Sequence, residues 1–262
     1  IINALGADMP LFGHVPMILG ADGERLSKRH GAVSVMQYPQ DGFLPEALLN
    51  YLARLGWSHG DEEVFSLKQF VEWFDLKHIS KSAAKFDPDK LLWLNQHYIK
   101  EADNQKLAQQ VKPLLEKAGI SVTAAPNLAD VMALLKERAT TLNELADSAH
   151  YFYRQPDVNA ELWNQHLTKE VQPALQSFYE GLLAIPSPWQ REALQALIKS
   201  TVAEHKIKMP QLAMPLRILV AGRTQTPAID AVLVLLGNEA ILRITKYFGS
   251  HAVVAGKLIV LQ

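Results

Sequence analysis

Three cations stand within five positions in the run Arg25-Leu26-Ser27-Lys28-Arg29, next to a hydroxyl and between Gly23 and Gly31. A lysine ammonium on such a loop is a compact charge that can lie against phosphate oxygens, and glycines at both ends let the loop shift during a reaction. Asp22-Gly23 is a turn signal of the hairpin kind, and the apolar run Val15 to Leu19 leads into it. A short charge run is equally what a solvated turn looks like, so the residues alone leave both readings open.

Two further arginines have chemistry to offer. Arg138 stands at the end of an amphipathic stripe, where a solvated helix-end arginine and a reader of base edges or phosphates are both open. Arg217 lies in the apolar run Met214 to Gly222, which points to burial or to pairing with a phosphate or base. Thr226-Pro227 reads as a helix start, whose free backbone N–H groups can meet an exposed nucleotide. The common fingerprints GxxxxGK[ST], GxGxxG, HExxH and GxSxG do not occur. The nine histidines are scattered, so no metal site is expected. With no cysteine there are no disulfides, thiolate metal sites or cysteine nucleophiles.

The elements around these residues read as mostly helical. At 262 residues the chain is long enough for two or more compact units. Its 48% hydrophobic and 20% charged content is that of an ordinary globular protein. The net charge of -1 means that any RNA binding must rest on local basic patches. No apolar run approaches a membrane span, and no signal peptide is visible. Residues 1 to about 30 read as a helix end, a strand at Val15 to Leu19 and the basic loop. Pro45 opens a helix that stops at Gly56, Ser66-Leu67-Lys68-Gln69 has the capping-box form, and Asp87-Pro88 opens another. Leu107, Val111, Leu114 and Leu115 form one helical stripe, and Val131, Leu134, Leu135, Leu142 and Leu145 a second. Leu175, Phe178 and Leu182 form a third, and Ser187-Pro188-Trp189-Gln190 signals a helix start. The helix after Thr226 stops at Gly237, and Asn238 caps one ending at Gly249. His251 to Gln262 is apolar and β-branched, with a strand and a tail both open and no function assigned to it.

The basic loop, with Asp8-Met9-Pro10, Phe12-Gly13-His14-Val15-Pro16 and His30-Gly31-Ala32 around it, resembles the KMSKS signature region of class I aminoacyl-tRNA synthetases, in the form shared by bacterial glutamyl-tRNA synthetases. The family's first lysine is Arg25 here and its methionine is Leu26; charge and apolar character survive both changes. Gly42 to Leu52, Leu55 to Ser58, Phe86-Asp87, Lys90-Leu91 and Trp93 to Asn95 are similar to the family's stem-contact domain. A strand-like Met-Pro-Leu-Arg run at 214–217 and the turn from Gly222 to Pro227 look like the parts that approach the anticodon. The likeness covers nearly the whole chain up to Gly249.

The resemblance implies a mainly α chain. Residues 1–32 would be the end of a Rossmann-like α/β catalytic domain carrying the loop, 33–100 the stem-contact domain, and 101–200 and 201–262 two helical anticodon-binding subdomains. It implies a parent enzyme that activates glutamate with ATP and transfers it to tRNA, with Mg2+ accompanying the ATP. Lys28 would stabilise the pentavalent phosphorus, with Arg25, Leu26, Ser27 and Arg29 completing its loop. Matched residue by residue, Arg138, Arg217, Thr226, Pro227 and Ile229 fall on positions that contact anticodon bases. The implied partner is glutamate tRNA, held at its anticodon and inner stem by a cytoplasmic monomer without a membrane. The missing start methionine and the truncated first element read as a chain that begins in mid-protein. No HIGH motif or glutamate pocket is present, so these residues alone are expected to be inactive and to hold no cofactor tightly. The competing reading is a free-standing helical RNA-binding or protein-interaction module that has kept only the fold.

Overall fold

A computed structural model describes residues 1–27, 34–124, 126–157 and 159–248, together with the backbone of 253–254 and 257–258. Lys28 and Arg29, the centre of the basic loop, lie outside the described residues. The chain is mainly helical and forms two compact units. One comprises Ile1–Glu101 with Ala139–Leu142, and the other Ala102–Arg138 with Asn143–Gln262. Among the described residues no helix is long and apolar enough to cross a membrane.

In the first unit, strand β1 (Ile18–Leu19) pairs in parallel with β2 (Ala84–Lys85), Ile18 opposite Ala84. The strand read at Val15 to Leu19 is thus confined to its last two residues. Helix α1 (Pro45–Arg54) starts on Pro45, with Glu46 in its first turn and Arg54 in its last, matching the helix dipole at both ends. Helix α2 (Leu67–Trp73) is closed by a reciprocal box. Ser66 Oγ accepts from the Gln69 N–H at 3.2 Å, and Gln69 Oε1 accepts from the Ser66 N–H at 2.9 Å. Helix α3 (Pro88–Glu101) is capped by the Asp87 carboxylate, which accepts from the N–H groups of Asp89 and Lys90.

Leu48 and Tyr51 of α1, Leu55 just past it, and Leu91 and Leu94 of α3 form the core of this unit, and Ile18 and Ala84 of the sheet and Phe86 beside it pack against that core. Two buried asparagines pin the loops around that core. Asn95 Oδ1 accepts from the Leu44 N–H at 2.8 Å, and its Nδ2 donates to the Thr140 carbonyl at 2.6 Å. Asn50 Oδ1 accepts from the Phe65 N–H at 3.1 Å and the Tyr98 hydroxyl at 2.9 Å, and its Nδ2 donates to the Glu63 carbonyl at 3.0 Å. Each buried amide satisfies backbone groups that would otherwise lose water without replacement.

The second unit is a helical assembly. Helices α4 (Asn104–Lys117) and α5 (Leu128–Leu135) pack on each other, capped by Asp103 and Asn127. They are followed by α6 (Leu142–Tyr153), α7 (Ala160–His166), α8 (Gln172–Ala184), α9 (Arg191–Glu204), α10 (Met209–Ala221), α11 (Ile229–Leu236) and α12 (Asn238–Phe248). Helix α10 is the centre: it packs against α7, α8, α9, α11 and α12. Eight of its residues are buried, from Leu212 to Ala221.

Four local expectations are corrected here. The strand-like Met214–Arg217 run is helix, with Pro215 inside it; a helix buried on nearly all sides shows no amphipathic period. The stripe from Val131 to Leu145 is two helices, α5 and α6, separated at 136–141. Thr226 does not cap: α11 begins at Ile229, preceded by Ala228 with no side-chain cap. Ser187 does not cap either, because α9 begins at Arg191. At the C-terminus, β3 (Val253–Val254) pairs antiparallel with β4 (Lys257–Leu258), so the strand alternative holds for those residues.

Candidate nucleic-acid interface

The second unit gathers Arg138, Arg217 and Thr226 at one point. Arg138 stands just past α5, Arg217 on α10, and Thr226 in the connection from α10 to α11. Arg138 Nη1 donates to the Thr226 carbonyl at 2.9 Å across 88 positions of sequence. Arg217 Nε donates to the Thr226 hydroxyl at 3.1 Å, and that hydroxyl donates in turn to the Pro227 carbonyl at 2.8 Å. Thr226 is only 5% exposed, so a nearly buried residue fixes one edge of both guanidinium forks. Arg138 is exposed and Arg217 half-buried. Pro227 and Ile229, which follow Thr226 in the chain, are buried.

The helices around these residues are held from several sides. Asp230, the second residue of α11, is buried and accepts from Arg191 Nε at 2.6 Å and Gln195 Nε2 at 2.7 Å. Burial raises its pKa, but the bonds from Arg191 and Gln195 outweigh burial and hold the carboxyl below its ordinary range. Arg243, 3% exposed, donates from Nη1 to the Tyr151 carbonyl at 2.6 Å and the Val220 carbonyl at 2.5 Å. Its Nε donates to Glu239 at 2.9 Å. One buried cation therefore ties the ends of α6 and α10 to α12. Gly222 closes α10 at φ +67°, and a Cβ there would stand 2.5 Å from Pro156 Cβ, so only glycine fits that turn without a shift.

Arg223 follows directly. Its guanidinium carbon lies 5.7 Å from the centre of the Tyr151 ring, and it donates to Asp147 at 3.3 Å and 3.4 Å. Burial pushes the Tyr151 hydroxyl well above its ordinary pKa, while Arg223, Arg243 and Arg138 all pull it down. Arg223 thus lies over the Tyr151 ring, and Arg138 and Arg217 meet on one threonine. This is a local basic patch in a chain of net charge -1. Guanidinium forks of this kind suit phosphates and base edges.

The family model of the anticodon binding domain matches residues 106–247, which contain every residue of this patch. The chain belongs to that anticodon-binding family. The catalytic-domain model of class I tRNA synthetases (E and Q) matches residues 1–93. The chain is 60% identical over 242 residues to the glutamate–tRNA ligase of Janthinobacterium sp. (strain Marseille), covering 92% of this chain and 52% of that protein. To the glutamate–tRNA ligase of Herminiimonas arsenicoxydans it is 59% identical over 248 residues, covering 94% and 53%. The fold is similar to the crystal structure of a glutamate tRNA ligase from Elizabethkingia meningosepticum, with a TM-score of 0.80 and 26% identity over 94% of this chain and 52% of that one. The chain therefore spans about half the length of the curated relatives it matches. It corresponds to the C-terminal half of a bacterial glutamate–tRNA ligase, the end of the catalytic domain followed by the anticodon-binding domain.

The catalytic-domain end of this ligase half carries the stem of the basic loop. Leu19 bridges Arg25 antiparallel, the Leu26 N–H donates to the Ile18 carbonyl at 2.9 Å, and the Gly20 N–H to the Glu24 carbonyl at 2.8 Å. Strand β1 thus has β2 on one edge and the first leg of the loop on the other. The turn between them is set by Gly23, at φ +83°, and by Asp22, which accepts from the Glu24 N–H. Arg25 is exposed there, while Leu26 and Ser27 are half-buried. Sequence reasoning missed Tyr151, Asp147, Arg223 and Arg243. For Arg223 a signal was present, since it directly follows the glycine of a turn already singled out.

Proposed function

We propose that this chain is the tRNA-holding half of a glutamate–tRNA ligase, with Arg138 and Arg217 reading the anticodon from a platform made by Thr226, Pro227 and Ile229. The observation that carries this reading is the convergence of the two arginines on Thr226 inside the region that matches the anticodon binding domain. Loop bases that are not paired are recognised by their edges and by stacking, which a pair of braced guanidinium groups provides. The division into residues 1–32, 33–100, 101–200 and 201–262 goes with this reading. So does a cytoplasmic monomer whose residues 33–100 touch the inner stem of the tRNA.

In the parent reaction the glutamate carboxylate attacks the α-phosphorus of ATP and pyrophosphate leaves. A terminal ribose hydroxyl of tRNA then attacks the adenylate carbonyl and AMP leaves. Lys28, with Arg25 and Arg29 beside it, would neutralise charge on the phosphates in the first step. ATP, escorted by Mg2+, is a substrate of that step. The exposed Arg25 on a braced stem suits a phosphate ligand. Residues 1–262 carry no HIGH motif, so by themselves they are expected to give no ATP–pyrophosphate exchange above background.

The test is a titration of the chain with glutamate tRNA and with the same tRNA carrying changed anticodon bases. Weaker binding of the changed tRNA is expected. Equal binding of both would remove the anticodon assignment.

A further inference from the structure

We propose that Arg223 is a third RNA-contacting arginine of this patch, a phosphate clamp that Asp147 and the ring of Tyr151 hold ready. The inference rests on the anticodon-binding reading and adds to it a residue and a means of release. Gly222 cannot be replaced without moving Pro156, so the chain turns at a fixed place and Arg223 leaves α10 at a fixed place. Tyr151 is 2% exposed, and its ring lies 5.7 Å from the guanidinium carbon, within cation–π range. Its hydroxyl is buried with no hydrogen-bond partner, so the ring rather than the oxygen is what holds Arg223.

The contact to Asp147 is of a different kind. Both bonds are long, 3.3 Å from Nη1 to Oδ2 and 3.4 Å from Nη2 to the backbone carbonyl. The Asp147 side chain is 73% exposed and that of Arg223 34%. An exposed pair of this length shifts an equilibrium by only about fivefold at most. An RNA phosphate offers the planar fork two oxygens in a matching geometry, so it can displace the single carboxylate oxygen. The ring of Tyr151 stays under the guanidinium in both states and limits the side-chain freedom lost on binding. Arg138 and Arg217 are committed to Thr226 at the base-reading edge, whereas Arg223 supplies attraction that is independent of sequence.

The experiment measures binding of the full 262-residue chain to an RNA hairpin with the glutamate anticodon and to one with a scrambled anticodon, at several salt concentrations. Arg223→Ala should weaken both hairpins alike by about tenfold. It should also reduce the steepness of log K against log salt by about 0.7, the share of one single-strand phosphate. Asp147→Asn should tighten both by about two- to fivefold, a gain that disappears in the double variant with Arg223→Ala. Arg223→Lys should keep the salt slope, which separates lost charge from misfolding. An Arg223→Ala variant with the parent's affinity and slope overturns the proposal. So does one that changes discrimination between the hairpins but not the slope. If Arg138→Ala and Arg217→Ala erase discrimination while Arg223→Ala changes nothing, the clamp alone fails. If the unaltered chain never discriminates, the anticodon reading fails, and the slope still judges Arg223. A chain that binds neither hairpin overturns both.

Discussion

The stem of the basic loop and the arginine patch solve the same problem, holding cations in place, in opposite ways. The loop is written in consecutive residues and rests on backbone bonds at the edge of a two-residue strand, with Arg25 on the surface. The patch is written in residues far apart in sequence, and each is braced by a buried neighbour: Thr226 for Arg138 and Arg217, Tyr151 for Arg223. A guanidinium fork braced in this way suits discrimination between base edges. Substitutions in the two regions should therefore differ in how far their effects spread.

The largest effect is expected for Arg243→Ala. It leaves the carbonyls of Tyr151 and Val220 without a donor and opens space between α6, α10 and α12. Two buried unpaired carbonyls cost about 3 kcal/mol or more, to be read from urea unfolding, and RNA binding should weaken with stability. A loss under 1 kcal/mol would show that the patch is not braced from below. Next comes a matched pair of glycines. Gly222→Ala meets both the left-handed backbone and Pro156 at 2.5 Å, at a cost of about 3 kcal/mol. Gly23→Ala has the same kind of backbone, φ +83°, but nothing within 4 Å, so the backbone alone costs about 1 kcal/mol. Thermal melting should rank them in that order, and RNA affinity should fall only for the Gly222 variant. Equal costs would erase the contrast between the regions.

These positions also show what the sequence could and could not reveal. Ser66 and Gln69, Pro45 and Asp87-Pro88 announced their helices because capping depends on residues a turn apart. The Arg138, Arg217 and Thr226 positions could be named from a family likeness. What joins them could not, because the bond between Arg138 and Thr226 spans 88 positions. Helix α10 looked strand-like because Leu216 and Ile218 to Ala221 are all buried apolar residues, and period fades when most faces are buried. Asn50, Asn95, Asp230 and Arg243 read as ordinary polar residues; only packing reveals that each is buried against a particular partner.

The smallest effect concerns acid. Asp230 is held below its ordinary pKa in the folded chain, so its contribution is present above the unfolded value of about 4 and is lost as pH falls through the lower folded value. Asp230→Asn should cost about 1 kcal/mol at neutral pH, and the gap from the parent should close below about pH 4. A gap that widens in acid would reverse the sign of this assignment.

The central claim is that Arg138 and Arg217 act as one anticodon-reading unit through Thr226. A double-mutant cycle measures it most directly. Arg138→Ala, Arg217→Ala and their combination are titrated with glutamate tRNA and with an anticodon-changed tRNA. The expected result is loss of discrimination in each single variant and a coupling of about 1 kcal/mol or more between them. Unchanged affinity and selectivity in Arg217→Ala, or strictly additive losses, would contradict it.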